Sequence, residues 1–225
     1  SLSINLSSKL DKSQSHYLNK VMRVKVNETF SLFNKSGEWE AKIITISKGL
    51  VEFTVIKHLR ISEISKEIWL AFSPIKSNYF NFMIQKSTEL GVTKFIPVIF
   101  ERSIVRKINN DRLKKIIIEA TEQSNRICTP EIESPVKLQN FLSTYEDKIK
   151  LIFTDLNSNK KKISSIKSEK KPLCILIGPE GDFSESERLK ILNFKDVETI
   201  KLNDNILRSE TAAISALSVI NFIIN

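Results

Sequence analysis

Cysteine, glycine and long apolar runs are all scarce in this 225-residue chain, and each scarcity removes a class of protein. The 2 cysteines, Cys128 and Cys174, stand far apart without metal-type spacing, so neither a disulfide framework nor a thiolate metal site is expected. They read as packing residues in a reducing compartment. No apolar stretch approaches the roughly 20 residues that cross a bilayer, and the opening SLSINLSSKLDK shows no charged-then-apolar signal pattern. A cytoplasmic location, with no membrane and no metal, is the expectation. Glycine numbers only 5, and two of these, Gly178 and Gly181, fall in one short turn.

What is present is an ordinary globular composition with a basic excess. Hydrophobic residues make up 41%, enough for a sizeable core. Lysine and arginine number 35 against 26 acids, a formal charge of +9 with a pI near 9.4. Such an excess favours a polyanionic partner, because each phosphate neutralised releases counterions. The abundance of Ile, Asn and Lys also fits a compositional bias, so charge alone identifies no partner. The length accommodates one large domain or two small ones.

Residues 1–68 read as a β-rich domain and 69–225 as an α/β domain. In the first part, a short helix at 15–22 precedes strands at 28–33, 38–47 and 50–58, separated by the turn clusters NKSG and KG. Trp39, Ala41 and Ile43 alternate with Glu40 and Lys42, the period of a half-buried strand. After a polar stretch at 61–67, strands and helices alternate: strand 69–73, helix 78–90, strand 94–100, helix 110–124, helix 138–145 and strand 151–155. That repetition predicts a parallel sheet. Leu113, Ile116, Ile117 and Ala120 recur at helical spacing and mark one buried face. The run NKKKISSIKSEKK reads as a solvated surface loop, with contact to a polyanion's phosphates as the alternative.

The chain is organised around PLCILIGPEGDFSESERLKILNFKDVETIKLNDNILRSETAAISALS. Its order is buried strand, glycine turn, helix, strand, polar loop and small-residue helix. Two backbone-rich loops therefore end two strands, the place where open α/β sheets bind ligands. Gly178 and Gly181 lack Cβ atoms, which permits positive φ and close ligand approach. Ser184 and Glu187 fit the S-x-x-E capping box, so a helix starts directly after the turn. Arg208 opposes the dipole of the helix it precedes, which favours a ligand or partner over helix support.

The segments LIGPEGDFSESE and LNDNILRSETAAISAL, together with KSTELGVTKFIPVIFERS, EATEQSNRICTPEI and HYLNKVMRVKVNETF, occur in the order found in the RsmE family. The chain resembles these SPOUT-class RNA methyltransferases over nearly its whole length. Asp182 stands where the family usually continues GPEGG, and Asn203, Asp204 and Asn205 where it usually has Gly and Arg. The resemblance implies a PUA-like or OB-like β-barrel RNA-binding domain, then a SPOUT domain with a parallel sheet and a C-terminal trefoil knot. It implies a homodimer that uses S-adenosyl-L-methionine to methylate N3 of a uridine in 16S ribosomal RNA of the small subunit.

The resemblance further implies that Ile177, Gly178, Pro179, Glu180 and Gly181, with Leu202, Asn205, Ile206 and Leu207, hold the cofactor. Arg208 is the first candidate to stabilise charge on the uracil oxygens, because a guanidinium is a rigid, permanently charged fork. Arg126 is the second, and Glu210 either orients Arg208, acts as base or complements the helix dipole. His16, Arg23, Glu89, Arg102, Arg106, Glu122 and Gln123 are the candidate RNA contacts. Glu122 and Arg126, spaced i,i+4, could equally pair on a helix. Two other classes fit parts of the pattern. A non-catalytic ribosome-docking module would not need the paired loops, and a nucleotide-phosphate enzyme would need the absent GxxxxGK[ST] spacing.

Overall fold

A computed structural model of the chain describes residues 2–34, 36–61, 66–158 and 171–224. All but the last residue of the lysine-rich run at 159–171 lies outside them. The chain divides into two units, Ser1–Ser65 and Lys66–Asn225.

In the first unit, strands β1 (Ser7–Lys9), β2 (Thr29–Asn34), β3 (Gly37–Ser47) and β4 (Leu50–Ile61) form an antiparallel sheet in the order β1-β4-β3-β2. The alternation read from the sequence sets its core. Trp39, Ala41 and Ile43 point inward against Val51, Phe53 and Val55, and breaks in the β3–β4 register bend the sheet. The helix begins earlier than expected. Asp11 and Gln14 form a capping box that starts α1 at Lys12–His16, and the chain continues through a π-helical turn at Tyr17–Val21. Strand β1 was not legible, since all three of its residues are exposed and show no alternation.

In the second unit the elements run β5 (Ile68–Phe72), α2 (Ser77–Glu89), β6 (Lys94–Ile99), α3 (Asn110–Gln123), β7 (Glu131–Ile132), β8 (Val136–Lys137) and α4 (Leu138–Tyr145). They continue through β9 (Lys150–Thr154), β10 (Leu173–Ile177), α5 (Glu185–Leu192), β11 (Val197–Ile200) and α6 (Ser209–Ile224). The sheet order is β11-β9-β10-β5-β6-β7, with β8 also on β6, and every pairing is parallel.

A parallel sheet must be covered on both faces, and alternate residues of the central strands do this. Ile68, Leu70, Phe72, Ile175 and Ile177 pack with Phe80, Met83, Leu113, Ile117, Ala213, Ala216 and Leu217, so α2, α3 and α6 lie on one face. Ala71, Cys174 and Leu176 pack with Leu138, Phe141, Leu142 and Ile191, so α4 and α5 lie on the other. Cys174 is fully buried, and burial pushes its thiol pKa far up, consistent with a packing role. The parallel arrangement puts the carboxyl ends of β5, β6, β9, β10 and β11 on one edge. The opposite edge is closed by Lys94, which pairs with Glu133 at 2.5 Å under the ring of Trp69, while the Tyr145 hydroxyl donates to Glu133 at 2.6 Å.

Candidate active site

At the carboxyl end of β10 the chain leaves the sheet through 178–183. The two glycines serve a purpose other than the positive φ expected of them, since neither adopts it. At Gly178 an added Cβ would lie 2.5 Å from the Phe183 ring. Phe183 in turn sits edge-on to Phe100 and Phe153, so the turn folds its own aromatic residue beneath the glycine. At Gly181 a Cβ would meet Arg102 Cβ at 3.4 Å, and the Arg102 guanidinium donates to the Gly181 carbonyl at 3.0 Å. The left-handed position is Asp182, with φ 61°. Its carboxylate accepts from the Phe183 amide at 2.8 Å, a local bond that suits Asp to this conformation. Ser184 and Glu187 then close the expected capping box and start α5.

The second loop, 201–208, leaves β11 and enters α6. The Asn203 side chain accepts from the Asn205 amide at 2.9 Å, a turn formed without glycine. Leu202 packs against the core beneath. The two loops meet where the Ser209 hydroxyl donates to the Gly178 carbonyl at 3.2 Å. Ser209 and Glu210 are buried in the first turn of α6, whereas Arg208 immediately before them is exposed. Glu210 at that position is favourable to the helix dipole.

The Arg208 guanidinium lies over the ring of Tyr79, its carbon 5.4 Å from the ring centroid. A hydrogen bond to the Tyr79 hydroxyl, with the charges of Glu210 and Glu180 adding to it, raises the arginine pKa further above its ordinary value. The group carries a fixed positive charge at every accessible pH.

A third segment, 100–106, follows β6 and is bolted to the glycine turn. The buried carboxylate of Glu187 accepts from the Glu101 amide at 2.8 Å and from the Ser184 amide at 3.1 Å. The Ser73 and Ser103 hydroxyls pair at 2.8 Å, joining this segment to the end of β5. Arg102 therefore reaches Gly181, and Arg106 folds back onto the Glu101 carbonyl. At the end of β9, buried Asp155 receives two-pronged bonds from Arg188 of α5, whose pKa is raised by that partner. Tyr79, Phe183, Asp155 and Arg188 were not singled out from the sequence. Asp155 had a usable signal, a carboxylate directly after a buried strand on the ligand edge, but the partners of the others are set only by folding.

Arg126 is bonded elsewhere in the chain. It does not stand beside Arg208: its guanidinium donates to the carbonyls of Thr88 and Val92, the latter at 2.8 Å, closing the end of α2. Burial lowers its pKa. Glu89 is paired with Lys86 at 2.8 Å at the same helix end. That end lies about 15 Å from Tyr79 along the axis of α2, at 1.5 Å per residue, and next to the opposite edge of the sheet. Glu122 and Gln123 end α3, and among the described residues no ion pair joins Glu122 to Arg126. Burial, reinforced by Glu119, raises the Glu122 pKa. Within one chain these four residues therefore form a group separate from Arg208. His16, at the end of α1 rather than its start, and Arg23, at φ 57°, are exposed in the first unit.

The arrangement suits a ligand held mainly by main-chain groups. Among the described residues the amides of Ile206 and Leu207 have no backbone partner, while the Phe183 ring and Arg102 pack against Gly178 and Gly181. Two grooves elsewhere, of about 400 Å³ beside Asn78, Phe82 and Arg112 and about 450 Å³ beside Ile117, Pro130 and Ile132, border α3 rather than these loops. Among the described residues no cluster of His, Cys, Asp and Glu could hold a metal, and no helix is long and apolar enough to cross a membrane.

Comparison with known proteins matches residues 62–221 to the RNA methyltransferase domain family and residues 10–56 to the RNA methyltransferase PUA domain family. Ribosomal RNA small subunit methyltransferase E of Rickettsia conorii is 34% identical over 211 residues, covering 92% of this chain and 86% of that one. The protein of the same name from Bacillus subtilis is 31% identical over 222 residues, covering 92% and 86%. Among solved structures, a ribosomal RNA small subunit methyltransferase E from Neisseria gonorrhoeae bound to S-adenosyl methionine superposes with a TM-score of 0.88 at 29% identity, covering 99% of this chain and 94% of that one.

Proposed function

We propose that this chain, which belongs to the RNA methyltransferase family and within it to the ribosomal RNA small subunit methyltransferase E proteins, transfers a methyl group from S-adenosylmethionine to small-subunit ribosomal RNA. The acceptor we infer is N3 of a uridine, as the sequence resemblance implies. The observation that carries the reading is the bond from Ser209 to Gly178, which makes the glycine turn and the asparagine loop one site with Arg208 at its rim.

Bound there, the cofactor supplies an activated methyl group on a sulfonium. The chain's own contribution is positioning and charge. Main-chain groups of 177–181 and 202–207 hold the ligand. Arg208 faces the charge that develops on the uracil oxygens as N3 loses its proton, and Glu210 orients it or takes up that proton. Arg102 and Arg106, carried on the segment bolted to the glycine turn, contact RNA phosphates, and His16 and Arg23 do so from the PUA unit.

A homodimer and a C-terminal trefoil knot complete the reading. Its support is Val219, Phe222 and Ile223 on α6 and Phe82 on α2, all exposed apolar groups, together with the juxtaposed loops. The test is incubation of undermethylated small subunits with labelled cofactor followed by nucleoside analysis. Labelled 3-methyluridine that vanishes with Arg208→Ala supports the reading. Label on a ribose or on another base overturns the acceptor, and no label at all overturns the activity.

A further inference from the structure

We propose that Tyr79 is a positioning residue: its ring and hydroxyl hold the Arg208 guanidinium at the rim of the site. The inference rests on the proposed role of Arg208.

Arg208 is fully exposed and lies on a loop that ends one residue before α6, so nothing in its own segment fixes the long side chain. Tyr79 comes from another element. It sits in the first turn of α2, which the sequence SPIKSNYF starts just past the carboxyl end of β5, on the same edge as both loops. From there it presents its ring face, with the guanidinium carbon 5.4 Å from the centroid, and it is the partner that raises the arginine pKa most. A planar cation held over an aromatic face has lost part of its freedom before substrate arrives.

The anchoring group also matters chemically. Glu180 on the glycine turn and Glu210 on α6 are the charged groups acting on Arg208. A guanidinium drawn fully into ion pairs with them would have its charge spent on carboxylates. A neutral phenol and a π face hold the cation without cancelling it, leaving charge to act on an anionic uracil. Tyr79 is thus the part of the site that restrains the arginine and keeps it electrostatically available.

The experiment compares Tyr79→Phe, which keeps the ring and removes the hydroxyl, with Tyr79→Leu, which removes both. For methyl transfer to small subunits, Tyr79→Phe is expected to lower kcat about fivefold, the effect of one hydrogen bond. Tyr79→Leu is expected to lower it several times more, and KM for the cofactor should stay within about twofold in both. The rising limb of kcat against pH should move to higher pH in both variants, because a looser guanidinium favours the N3 anion less. A role confined to folding would lower kcat equally at all pH values.

A second readout needs no turnover. The Arg208 side-chain Nε–H, followed by NMR in the full-length protein, should exchange with water more slowly in the wild type than in Tyr79→Leu, with Tyr79→Phe between them. Equal exchange in all three overturns the proposal even if methylation is absent for other reasons. Slower exchange in the wild type, with no labelled methyluridine formed, would keep Tyr79 as the arginine's anchor and overturn the uridine reading instead. Unchanged kcat with a raised KM for RNA would also overturn it, making Tyr79 a stacking surface for a base.

Discussion

The Ser209 hydroxyl lies 3.2 Å from the carbonyl oxygen of Gly178, joining the first turn of α6 to the turn that follows β10. These residues are 31 positions apart in the chain, and this contact ties the turn after β10 to the start of α6. Ser209→Ala removes the only side-chain donor described on that carbonyl. The cost should be about 1 kcal/mol, seen in calorimetry as a roughly fivefold weaker affinity for S-adenosylmethionine. An unchanged affinity would mean that the loops meet without needing this bond.

The two glycines of the turn should respond differently to alanine. Gly178→Ala drives a methyl into the Phe183 ring at 2.5 Å, and displacing a ring wedged between Phe100 and Phe153 should cost about 1–3 kcal/mol by thermal denaturation. Gly181→Ala meets Arg102 at 3.4 Å without any positive φ, and its effect on stability should be under about 1 kcal/mol. Cofactor affinity should fall sharply in the first variant and less in the second.

Asp182 holds the turn's one left-handed conformation, at φ 61°. Asp182→Asn keeps both a tolerance for that region and a local acceptor for the Phe183 amide, so it should be nearly neutral. Asp182→Val puts a β-branched residue there and should destabilise by about 1–3 kcal/mol. Differential scanning calorimetry on the two variants separates a backbone effect from a charge effect.

At the far edge of the sheet, the Lys94, Glu133 and Tyr145 cluster should make the second unit sensitive to alkali. For Lys94, burial pulls the pKa down, but hydrogen bonds to Glu133 and Tyr145 outweigh it and the net shift is upward. Burial, and then the bond to Glu133, raises Tyr145 as well. A group whose folded pKa is raised contributes stability that is complete below its unfolded pKa and is lost as pH climbs through the folded one. Stability should therefore hold at pH 8 and fall progressively above about pH 10, the unfolded range of Tyr and Lys. Glu133→Gln should flatten that fall in urea titrations across the same range.

Much of this was legible because the relevant forces are local. The unbroken apolar run at 174–177 marks a strand buried on two faces, Ser184 with Glu187 marks a helix start, and Trp39, Ala41 and Ile43 mark a half-buried strand. Those patterns gave the alternating architecture and both loops. The two-residue strands β7 and β8 were not legible, because two residues carry no period. Nor were the partners of side chains. Arg126 is part of a sequence segment shared with RNA methyltransferases, yet in this chain its guanidinium is committed to carbonyls at the end of α2. Nothing in the sequence separates Tyr79 from Phe80 and Phe82 on the same helix, and only the packing of α2 beside α6 gives it Arg208. The glycines end the strand as expected without the positive φ, and at Gly178 it is an aromatic ring five residues along that excludes a side chain.

Hydrogen–deuterium exchange of the whole chain with and without S-adenosylmethionine tests the central claim, that the turn at 178–183 and the loop at 202–208 together hold one ligand. Both segments should gain protection in parallel over the same cofactor titration, with strand β3 of the first unit unchanged. Protection confined to one of the two segments, or gained by neither, would contradict it.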